Sequence, residues 1–302
     1  MDEKEIMVTI RCLTYNQEPF IRQCLDGFIM QKTNFRFIAI VHDDASTDKT
    51  ADIIREYAIN YPDIIRPIIQ TENQYSRGFD EVRNRLNNLC MKTKYVAYCE
   101  GDDYWTDPMK LQKQFDFMEA HPDYSACFHQ AMIHYEDGIS ADIPCGNIKD
   151  QDYSGLELYD NDHRPPTASF FFKSSVLNCD VYKNSLKAHL VFSDVSLFLS
   201  CAHEGKVRGM SASMSVYRKH RQGVTETFNN GSKLMLKFAE SNLKLYTIFG
   251  NQYKEQCIRI YVIEHINYFI KNLHNRRFCI GSILKIFLRF PIVTSQLLKY
   301  RL

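Results

Sequence analysis

The residues best suited to chemistry in this chain are acids in two short clusters. Glu100, Asp102 and Asp103 stand in EGDDYWTDP, and Asp43 and Asp44 stand in HDDASTD. Several carboxylates cannot stay ionised together without a cation, because like charges raise one another's pKa. Oxygen ligands suit Mg²⁺ or Mn²⁺, which keep water ligands and bind substrate phosphates. The clusters therefore predict a divalent cation and a phosphate group, with turn formation and helix capping as the structural alternative.

Runs of residues typical of buried strands precede these acids and one further polar cluster. The runs are IMVTIRCL at residues 6–13, FRFIAIV at 35–41 and YVAYC at 95–99. Segments with helical spacing separate them, which predicts βαβ units and a mostly parallel sheet. Ligands of such sheets gather beyond the carboxyl ends of the strands. One edge should then hold Thr14, Tyr15 and Asn16 after the first run, Asp43, Asp44 and Ser46 after the second, and Glu100, Asp102 and Asp103 after the last.

The alternation of strands and helices stops past Tyr124. YSACFHQAMIHY and TASFFFK favour strands without regular crossover helices, and the pattern is helical from about Phe228 to the end. The chain therefore predicts an α/β fold, Rossmann-like, with a mostly parallel central sheet, a mixed second half and a C-terminal helical region. We expect a first domain at residues 1–225 that holds the polar clusters, and the helical region at 226–302.

Composition excludes several classes of protein. At 302 residues, 45% hydrophobic and 24% charged, the chain is long enough for a full core, and its net charge of +1 indicates no nucleic-acid partner. Ten cysteines without a C-x-x-C pair favour buried reduced thiols in a cytoplasmic protein. The acidic start MDEKEIMVTI is unlike a signal peptide, and no apolar run approaches the roughly 20 residues of a spanning helix.

The last part of the chain has a different charge balance. After Glu264 there is no acid, while seven basic residues follow: Lys271, Arg276, Arg277, Lys285, Arg289, Lys299 and Arg301. Apolar residues mixed with these cations suit an amphipathic helix lying on an anionic membrane surface. We expect peripheral binding to the inner face of the plasma membrane. A helical pair that packs on the rest of the protein is the alternative.

Three motifs in order carry a resemblance to a known family. LTYNQEPFIRQCL, HDDASTDKT and EGDDYWTDP resemble the family 2 inverting glycosyltransferases of the GT-A fold, of the type that builds bacterial cell-surface polysaccharides. The family pattern is a strand ending in a tyrosine-asparagine pair, a D-D-x-S-x-D turn and a D-x-D metal motif. The similarity covers roughly the first 125 residues well and extends more loosely to near residue 220.

The resemblance implies a role for each matched residue on the nucleotide side. Tyr15 would stack on the nucleobase, and Asp44 would accept a hydrogen bond from an N–H of the base. The other residues on this side are Thr14, Asn16, Glu18, Asp43, Ser46 and Arg83. The structural alternatives are a core aromatic for Tyr15 and turn chemistry for Asp44 and its neighbour.

The resemblance also implies a metal site. Asp102 and Asp103 would place Mn²⁺ or Mg²⁺ on the two phosphates of the donor. Glu100 stands where the family more often has Asp, so a carboxylate is kept on a longer arm.

Three later residues match the remaining machinery of the family. Asp194, in FSDVSLFL, matches the general base, and capping of the helix that begins near Val195 is its alternative. Arg218 and His220, in VYRKH, match a basic element on the diphosphate or acceptor side. For His220 the alternative is an ordinary surface histidine.

The function implied is transfer of a sugar from a nucleotide-diphosphate donor, most often UDP, to an acceptor hydroxyl, with inversion at the anomeric carbon. The expected acceptor is a lipid-linked oligosaccharide, a lipopolysaccharide core or a protein glycan, with the synthesis of bacterial cell-surface polysaccharide as the expected process. A dinucleotide-dependent oxidoreductase is disfavoured because G-x-G-x-x-G is missing after the first strand. A sugar nucleotidyltransferase usually has a glycine-rich basic loop at that place. A non-catalytic scaffold subunit that keeps the nucleotide-sugar pocket stays open as an alternative.

Overall fold

The computed structural model describes residues 5–78, 80–159, 165–188, 190, 193–223, 233–272 and 276–299. The chain forms two compact units. The first comprises Met1–Cys179 and Cys201–Arg218, and the second comprises Asp180–Ser200 and Lys219–Leu302. The domain boundary expected between residues 225 and 226 stays a prediction.

Strands within the described residues form one sheet. They are β1 Ile6–Thr14, β2 Arg36–Asp43, β3 Ile65–Ile69, β4 Tyr95–Tyr98, β5 Tyr104–Trp105, β6 Tyr124–Tyr135, β7 Ile143–Pro144, β8 Phe171–Lys173 and β9 Lys206–Lys219. Their order across the sheet is β3-β2-β1-β4-β8-β6-β9-β5, and β7 pairs with β6. The first four strands in the chain therefore occupy one side of the sheet, and the later strands extend it.

The four early strands run parallel. β1 lies between β2 and β4, and β3 pairs with the far side of β2. Pro67 lies in β3, which is the outermost strand, where a residue without a backbone N–H is tolerated. Beyond β4 the pairings of β8 with β4 and β6, and of β5 with β9, are antiparallel. The predicted α/β fold with a parallel central part and a mixed second half is confirmed.

Helices of the first unit connect and cover these strands. They are α1 Ile21–Ile29, α2 Thr50–Asn60, α3 Asp80–Cys90, α4 Lys110–Ala120 and α5 Gly155–Tyr159. Val8 and Ile10 of β1 are fully buried and share a core with Leu25 and Phe28 of α1. The same helix has its apolar residues at helical spacing, so its inner face packs on the sheet and its polar face meets solvent.

The second unit is helical. Its helices are α6 Asp180–Lys187, most of α7 Ser193–Glu204, α8 Lys233–Phe249, α9 Lys254–Lys271, α10 Arg276–Arg289 and α11 Pro291–Lys299. Leu243, Tyr261, Val262, Ile266 and Ile286 form its buried core. The expected C-terminal helical region is confirmed, and none of the helices described is long and apolar enough to cross a bilayer.

Candidate functional site

The polar clusters meet at one edge because of the register of β1 with its neighbours. Thr14, the last residue of β1, is paired with Asp43, the last residue of β2. The Asp44 N–H then donates to the Thr14 carbonyl at 3.0 Å. On the other side of β1, the Gly101 N–H donates to the Leu13 carbonyl at 2.9 Å. The carboxyl ends of the parallel strands thus bring the three clusters side by side.

Gly101 lets the loop at residues 100–103 lie directly against the end of β1. A Cβ atom at this position would stand 2.9 Å from Thr14 Cβ and 3.2 Å from Ile21 Cδ1, and it would also collide with the Gln17 side chain. Real Cβ atoms do not come this close to other carbon atoms, so any larger residue would push the acidic loop away from β1. We call residues 100–103 the acidic loop.

Asp43 and its neighbours stabilise the turn after β2. The Ser46 N–H donates to Asp43 Oδ2 at 3.0 Å, and the Ser46 hydroxyl donates to Asp43 Oδ1. That hydroxyl in turn accepts the Asn16 N–H at 2.8 Å, while Asn16 Oδ1 accepts the Thr47 N–H at 2.8 Å. Asn16 has a φ of 52°, a left-handed conformation that asparagine tolerates better than most residues. Turn chemistry, the structural alternative, therefore accounts for the contacts of Asp43.

Glu18 belongs to the same set of loop contacts. Its carboxylate accepts the Lys49 N–H at 3.1 Å, and its own N–H donates to Asp48 Oδ2 at 3.1 Å. The segment after β1 and the start of α2 are therefore joined by hydrogen bonds in both directions. These hydrogen bonds fix the backbone next to Tyr15.

Asp44 connects the site to a turn that the sequence interpretation missed. Its carboxylate is buried and accepts the N–H of Gln74 at 2.8 Å and of Tyr75 at 3.0 Å, while its carbonyl accepts from Asn73 Nδ2 at 3.2 Å. The polar run TENQYSRG follows β3, so the rule of strand ends could have found this turn. The side chain of Tyr75 points into solvent.

Tyr15 is not a core residue. Its side chain is 46% exposed at the end of β1, which excludes the alternative of a buried core aromatic. An aromatic ring half exposed beside Asp44 is available to stack on a flat ligand.

The acidic loop holds one buried carboxyl group. Asp103 is 3% exposed, and its Oδ1 accepts the Arg218 N–H at 2.9 Å. Burial raises the pKa of Asp103 well above its usual value, and the negative charges of Asp102 and Glu100 raise it further. A cation bound beside these acids would offset the repulsion that their charges exert on Asp103.

Within the described part of the chain, no three His, Cys, Asp or Glu side chains are arranged to hold one metal ion. This finding does not conflict with a cation at the acidic loop, because Mg²⁺ commonly takes one or two carboxylates, water and substrate phosphates. The donor set of Asp102 and Asp103, all oxygen and partly buried, fits a hard divalent cation that is completed by a ligand.

Arg218, at the end of β9, ties the acidic loop to distant parts of the first unit. Its side chain is buried; Nε donates to the Asp102 carbonyl at 2.7 Å, Nη1 donates to Glu136 at 2.6 Å, and Nη2 donates to Gln23. The guanidinium also lies 4.5 Å from the Tyr104 ring centroid. All three nitrogens donate within the unit, so these contacts hold the loop in shape. The predicted contact of Arg218 with a diphosphate stays a prediction.

Neither Glu136 nor Gln23 was identified from the sequence. Gln23 lies on α1 and Glu136 directly follows β6, so both partners are far from Arg218 along the chain. No local pattern marks such residues, because only the folded sheet brings them to the guanidinium.

A buried lysine packs against β5, the strand that directly follows the acidic loop. Lys110 is fully buried; its ammonium donates to Gln114 Oε1 at 2.7 Å and lies 4.0 Å from the Trp105 ring centroid. Burial lowers its pKa to about 7. Trp105 Nε1 donates to the Ala168 carbonyl and Gln114 Nε2 to the Ser169 carbonyl, at 2.8 and 2.9 Å. β5 and α4 are thus joined to the turn at residues 167–169.

The remaining predicted site residues are Arg83, Asp194 and His220. Arg83 is in α3 and pairs with Asp80 of the same helix. Asp194 and His220 belong to the second unit. The Asp194 carboxylate accepts the N–H of Val195 at 2.9 Å at the start of α7, and the His220 carbonyl accepts the Gly223 N–H at 2.9 Å. Their roles as general base and diphosphate-side residue stay predictions.

Comparison with known proteins points to one family. A family model described as glycosyl transferase family 2 matches residues 10–178. An uncharacterized protein of Mycobacterium tuberculosis is 36% identical over 225 residues, which make up 72% of this chain and 60% of that protein. The Escherichia coli protein WfaP, a UDP-Glc:alpha-D-GlcNAc-diphosphoundecaprenol beta-1,3-glucosyltransferase, is 32% identical over 113 residues, 37% of this chain and 41% of WfaP. The chain therefore spans less than two thirds of the length of these relatives.

Solved structures share the fold. Staphylococcus aureus TarS 1-349 in complex with UDP-GlcNAc aligns with a TM-score of 0.58 at 16% identity, over 96% of this chain and 78% of that one. The mannosyltransferase PcManGT of Pyrobaculum calidifontis, in complex with GDP-Man and Mn²⁺, aligns with a TM-score of 0.54 at 16% identity, over 97% and 78%. The likeness identifies the architecture as the GT-A fold.

Proposed function

The chain belongs to glycosyl transferase family 2, and on that premise we propose that it transfers a sugar from a nucleotide-diphosphate donor to an acceptor hydroxyl. The observation that carries this proposal is the shared edge of the sheet, where Tyr15, Asp44 and the acidic loop lie at the ends of adjacent parallel strands. In open α/β sheets this edge is the place where nucleotides bind.

The base of the nucleotide would bind at the ends of β1 and β2. Tyr15 offers its half-exposed ring for stacking, and Asp44 offers a carboxylate beside it. A carboxylate has about four lone-pair sites, so Asp44 can accept an N–H of the base in addition to those of Gln74 and Tyr75. The other residues that shape this pocket are Thr14, Asn16, Glu18, Asp43, Ser46 and Arg83.

The diphosphate would bind at the acidic loop together with a divalent cation, Mn²⁺ or Mg²⁺. Asp102 and Asp103 would hold the cation, with Glu100 adding negative charge beside them. Such a cation supplies a Lewis acid that stabilises charge on the departing phosphate oxygen. The acids hold this position because Gly101 rests on β1 and Arg218 binds the Asp102 carbonyl.

The acceptor would be activated by Asp194. Its carboxylate takes the proton of the acceptor hydroxyl as general base while the oxygen attacks the anomeric carbon. Direct displacement at that carbon inverts its configuration. His220 would donate to the diphosphate. Arg218 would donate to the diphosphate as well, since three of its five N–H groups position the acidic loop and two more can donate.

We propose UDP as the donor nucleotide and a polysaccharide or lipid-linked glycan, including lipopolysaccharide, as the acceptor. WfaP, named as a UDP-Glc-dependent enzyme acting on a diphosphoundecaprenol acceptor, supports both choices. The acid-free, basic C-terminal part supports a cytoplasmic protein that binds the inner face of the plasma membrane.

The experiment that tests the function is donor hydrolysis and binding across UDP-, GDP- and dTDP-sugars, each with Mn²⁺, Mg²⁺ or a chelator. We expect one nucleotide to give metal-dependent binding and slow hydrolysis, and both to be lost in Asp103→Ala. Asp123→Ala is the matched control, because this exposed acid pairs with Lys206 and lies outside the motifs.

Two outcomes would replace the proposal. Metal-dependent donor binding without hydrolysis or transfer to any acceptor would favour the scaffold subunit. Formation of a nucleotide-sugar from a nucleoside triphosphate and a sugar phosphate would favour a nucleotidyltransferase.

A further inference from the structure

Helices α10 and α11 leave a row of large apolar side chains in solvent. Leu288 is 85% exposed and Ile292 is 73% exposed, and Leu284 and Phe287 are also exposed. Residues three and four apart lie on one face of a helix, so Leu284, Phe287 and Leu288 are neighbours. We call these four residues the apolar ridge.

Ile292 continues the ridge across the joint between the helices. The Phe290 N–H donates to the Ile286 carbonyl at 2.7 Å, and the Thr294 N–H donates to the Phe290 carbonyl at 3.0 Å. The helical hydrogen bonds thus resume directly after Pro291, which places Ile292 one turn beyond Leu288. The opposite side of the helices is anchored, because Ile286 is fully buried against Tyr261 and Val262 of α9.

An exposed ridge of this kind needs an explanation. Single exposed apolar residues are normal on soluble proteins, but contiguous apolar patches mark interaction surfaces. The ridge gains nothing from the core of the second unit, since other residues of the same helices already fill that core. The side chains of the ridge are therefore free to pack against an apolar phase outside the protein.

The charge around the apolar ridge indicates what kind of surface it binds. From residue 265 to the end of the chain there are seven Lys and Arg residues and no acid. Lys285 and Arg289 alternate with the ridge along α10, are about half exposed, and both pair with Glu240 of α8. The two cations exceed the one acid, so this face stays positive. A bilayer with anionic headgroups offers negative charge outside and an apolar interior beneath, which matches both features.

We propose that the apolar ridge inserts into the boundary between headgroups and acyl chains of an anionic bilayer, while the basic residues contact the headgroups. This inference rests on the proposed membrane association and adds its mode, in which apolar insertion contributes beside charge. A protein held in this way stays at the surface that carries a lipid-linked acceptor.

The test is co-sedimentation of the full chain with phosphatidylcholine vesicles, with and without phosphatidylglycerol, at low and high salt. Leu288→Ser/Ile292→Ser removes the most exposed part of the ridge. Each lost side chain should weaken binding about tenfold, so the double variant should bind about a hundredfold more weakly. High salt should weaken binding of the unmodified chain without abolishing it, since insertion is not screened.

A matched control is Ile59→Ser/Ile139→Ser, because these residues are 79% and 91% exposed in the first unit. This variant should bind vesicles as the unmodified chain does. Equal binding by the ridge variant and the control would overturn the proposal. A second result would also overturn it: the unmodified chain fails to bind vesicles and forms a dimer without lipid, and the ridge variant is monomeric. A second copy of the chain would then cover the ridge.

Donor binding measured in the same samples separates the two proposals. The ridge variant should keep its melting temperature and its affinity for donor. If no sample bound donor, the proposed transferase function would be contradicted, while the vesicle measurement would still test the membrane contact of the ridge.

Discussion

Replacement of Gly101 by alanine tests whether the acidic loop must rest on β1. The new Cβ atom would lie 2.9 Å from Thr14 Cβ, an atom that belongs to a strand paired on both sides. The strand cannot yield as a flexible side chain could, so the loop must shift. Overpacking of this kind costs roughly 1–3 kcal/mol of unfolding free energy.

The shift should affect chemistry more than folding. The loop carries Asp102 and Asp103, and displacement of reacting groups by ~1 Å can lower a rate by ~10²-fold. We therefore expect Gly101→Ala to fold, with a melting temperature lowered by several degrees, roughly 2–4 °C for each kcal/mol lost. Donor hydrolysis and transfer should fall about a hundredfold. Thermal unfolding and initial rates with saturating donor measure the two effects.

Gly281→Ala is the control for this substitution. Gly281 lies in α10, and a Cβ atom there would meet nothing within 4 Å. Alanine is the better helix former by up to about 1 kcal/mol, so this variant should be slightly more stable and fully active. If Gly101→Ala transferred sugar as fast as Gly281→Ala, the claim that close packing on β1 positions the acids would be refuted.

Three further predictions address single residues. Tyr15→Ala should weaken UDP binding by about tenfold or more, since stacking on a base contributes ~1–3 kcal/mol, whereas the control Tyr61→Ala should leave UDP binding unchanged. Calorimetric titration with UDP measures both affinities, and equal values would contradict the stacking role of Tyr15. Lys110→Met should flatten the pH dependence of the unfolding free energy. The pKa of Lys110 is about 7 in the folded chain and 10.5 in the unfolded chain, so between these values the unfolded chain binds one more proton. The stability of the unmodified chain therefore rises with pH in this range. Urea unfolding at pH 7 and pH 9 measures that slope, and an unchanged slope in the variant would contradict the assignment. Asp194→Asn should keep donor affinity and lose transfer, and near-normal transfer by a folded variant would remove Asp194 as the base.

Much of the fold follows from local patterns. The apolar runs that end at Leu13, Val41 and Cys99 correspond to β1, β2 and β4, because buried parallel strands are mostly apolar along their length. Pro67 likewise indicates an edge position for β3, because proline has no backbone N–H to donate to a neighbouring strand. The meeting of the polar clusters then follows from the rule of strand ends.

The rest of the site depends on contacts that no local pattern encodes. β5 is only Tyr104–Trp105, and it forms because Val216 and Ser215 of β9 lie beside it. The carboxylate and amide partners of Arg218 come from other elements, since Glu136 follows β6 and Gln23 lies on α1. A motif can therefore indicate that an arginine is used without indicating which residues bind it, because these partners lie 82 and 195 positions away in the chain.

The turn contacts of Asp44 are compatible with the proposed hydrogen bond to a base. The sequence offered them as alternatives, yet one carboxylate can cap the turn at Gln74 and still present lone pairs at the pocket. Both oxygens of Asp43 likewise accept hydrogen bonds within a turn, in this case from Ser46.

The measurement that tests the central claim most directly is the affinity for UDP with Mn²⁺ and with a chelator, in the unmodified chain and in Asp102→Asn. If the acidic loop binds the diphosphate through a cation, Mn²⁺ should strengthen UDP binding in the unmodified chain, and Asp102→Asn should remove most of that gain while leaving the metal-free affinity unchanged. UDP binding that is equally tight with chelator and with Mn²⁺, or equally metal-dependent in the variant, would contradict the account.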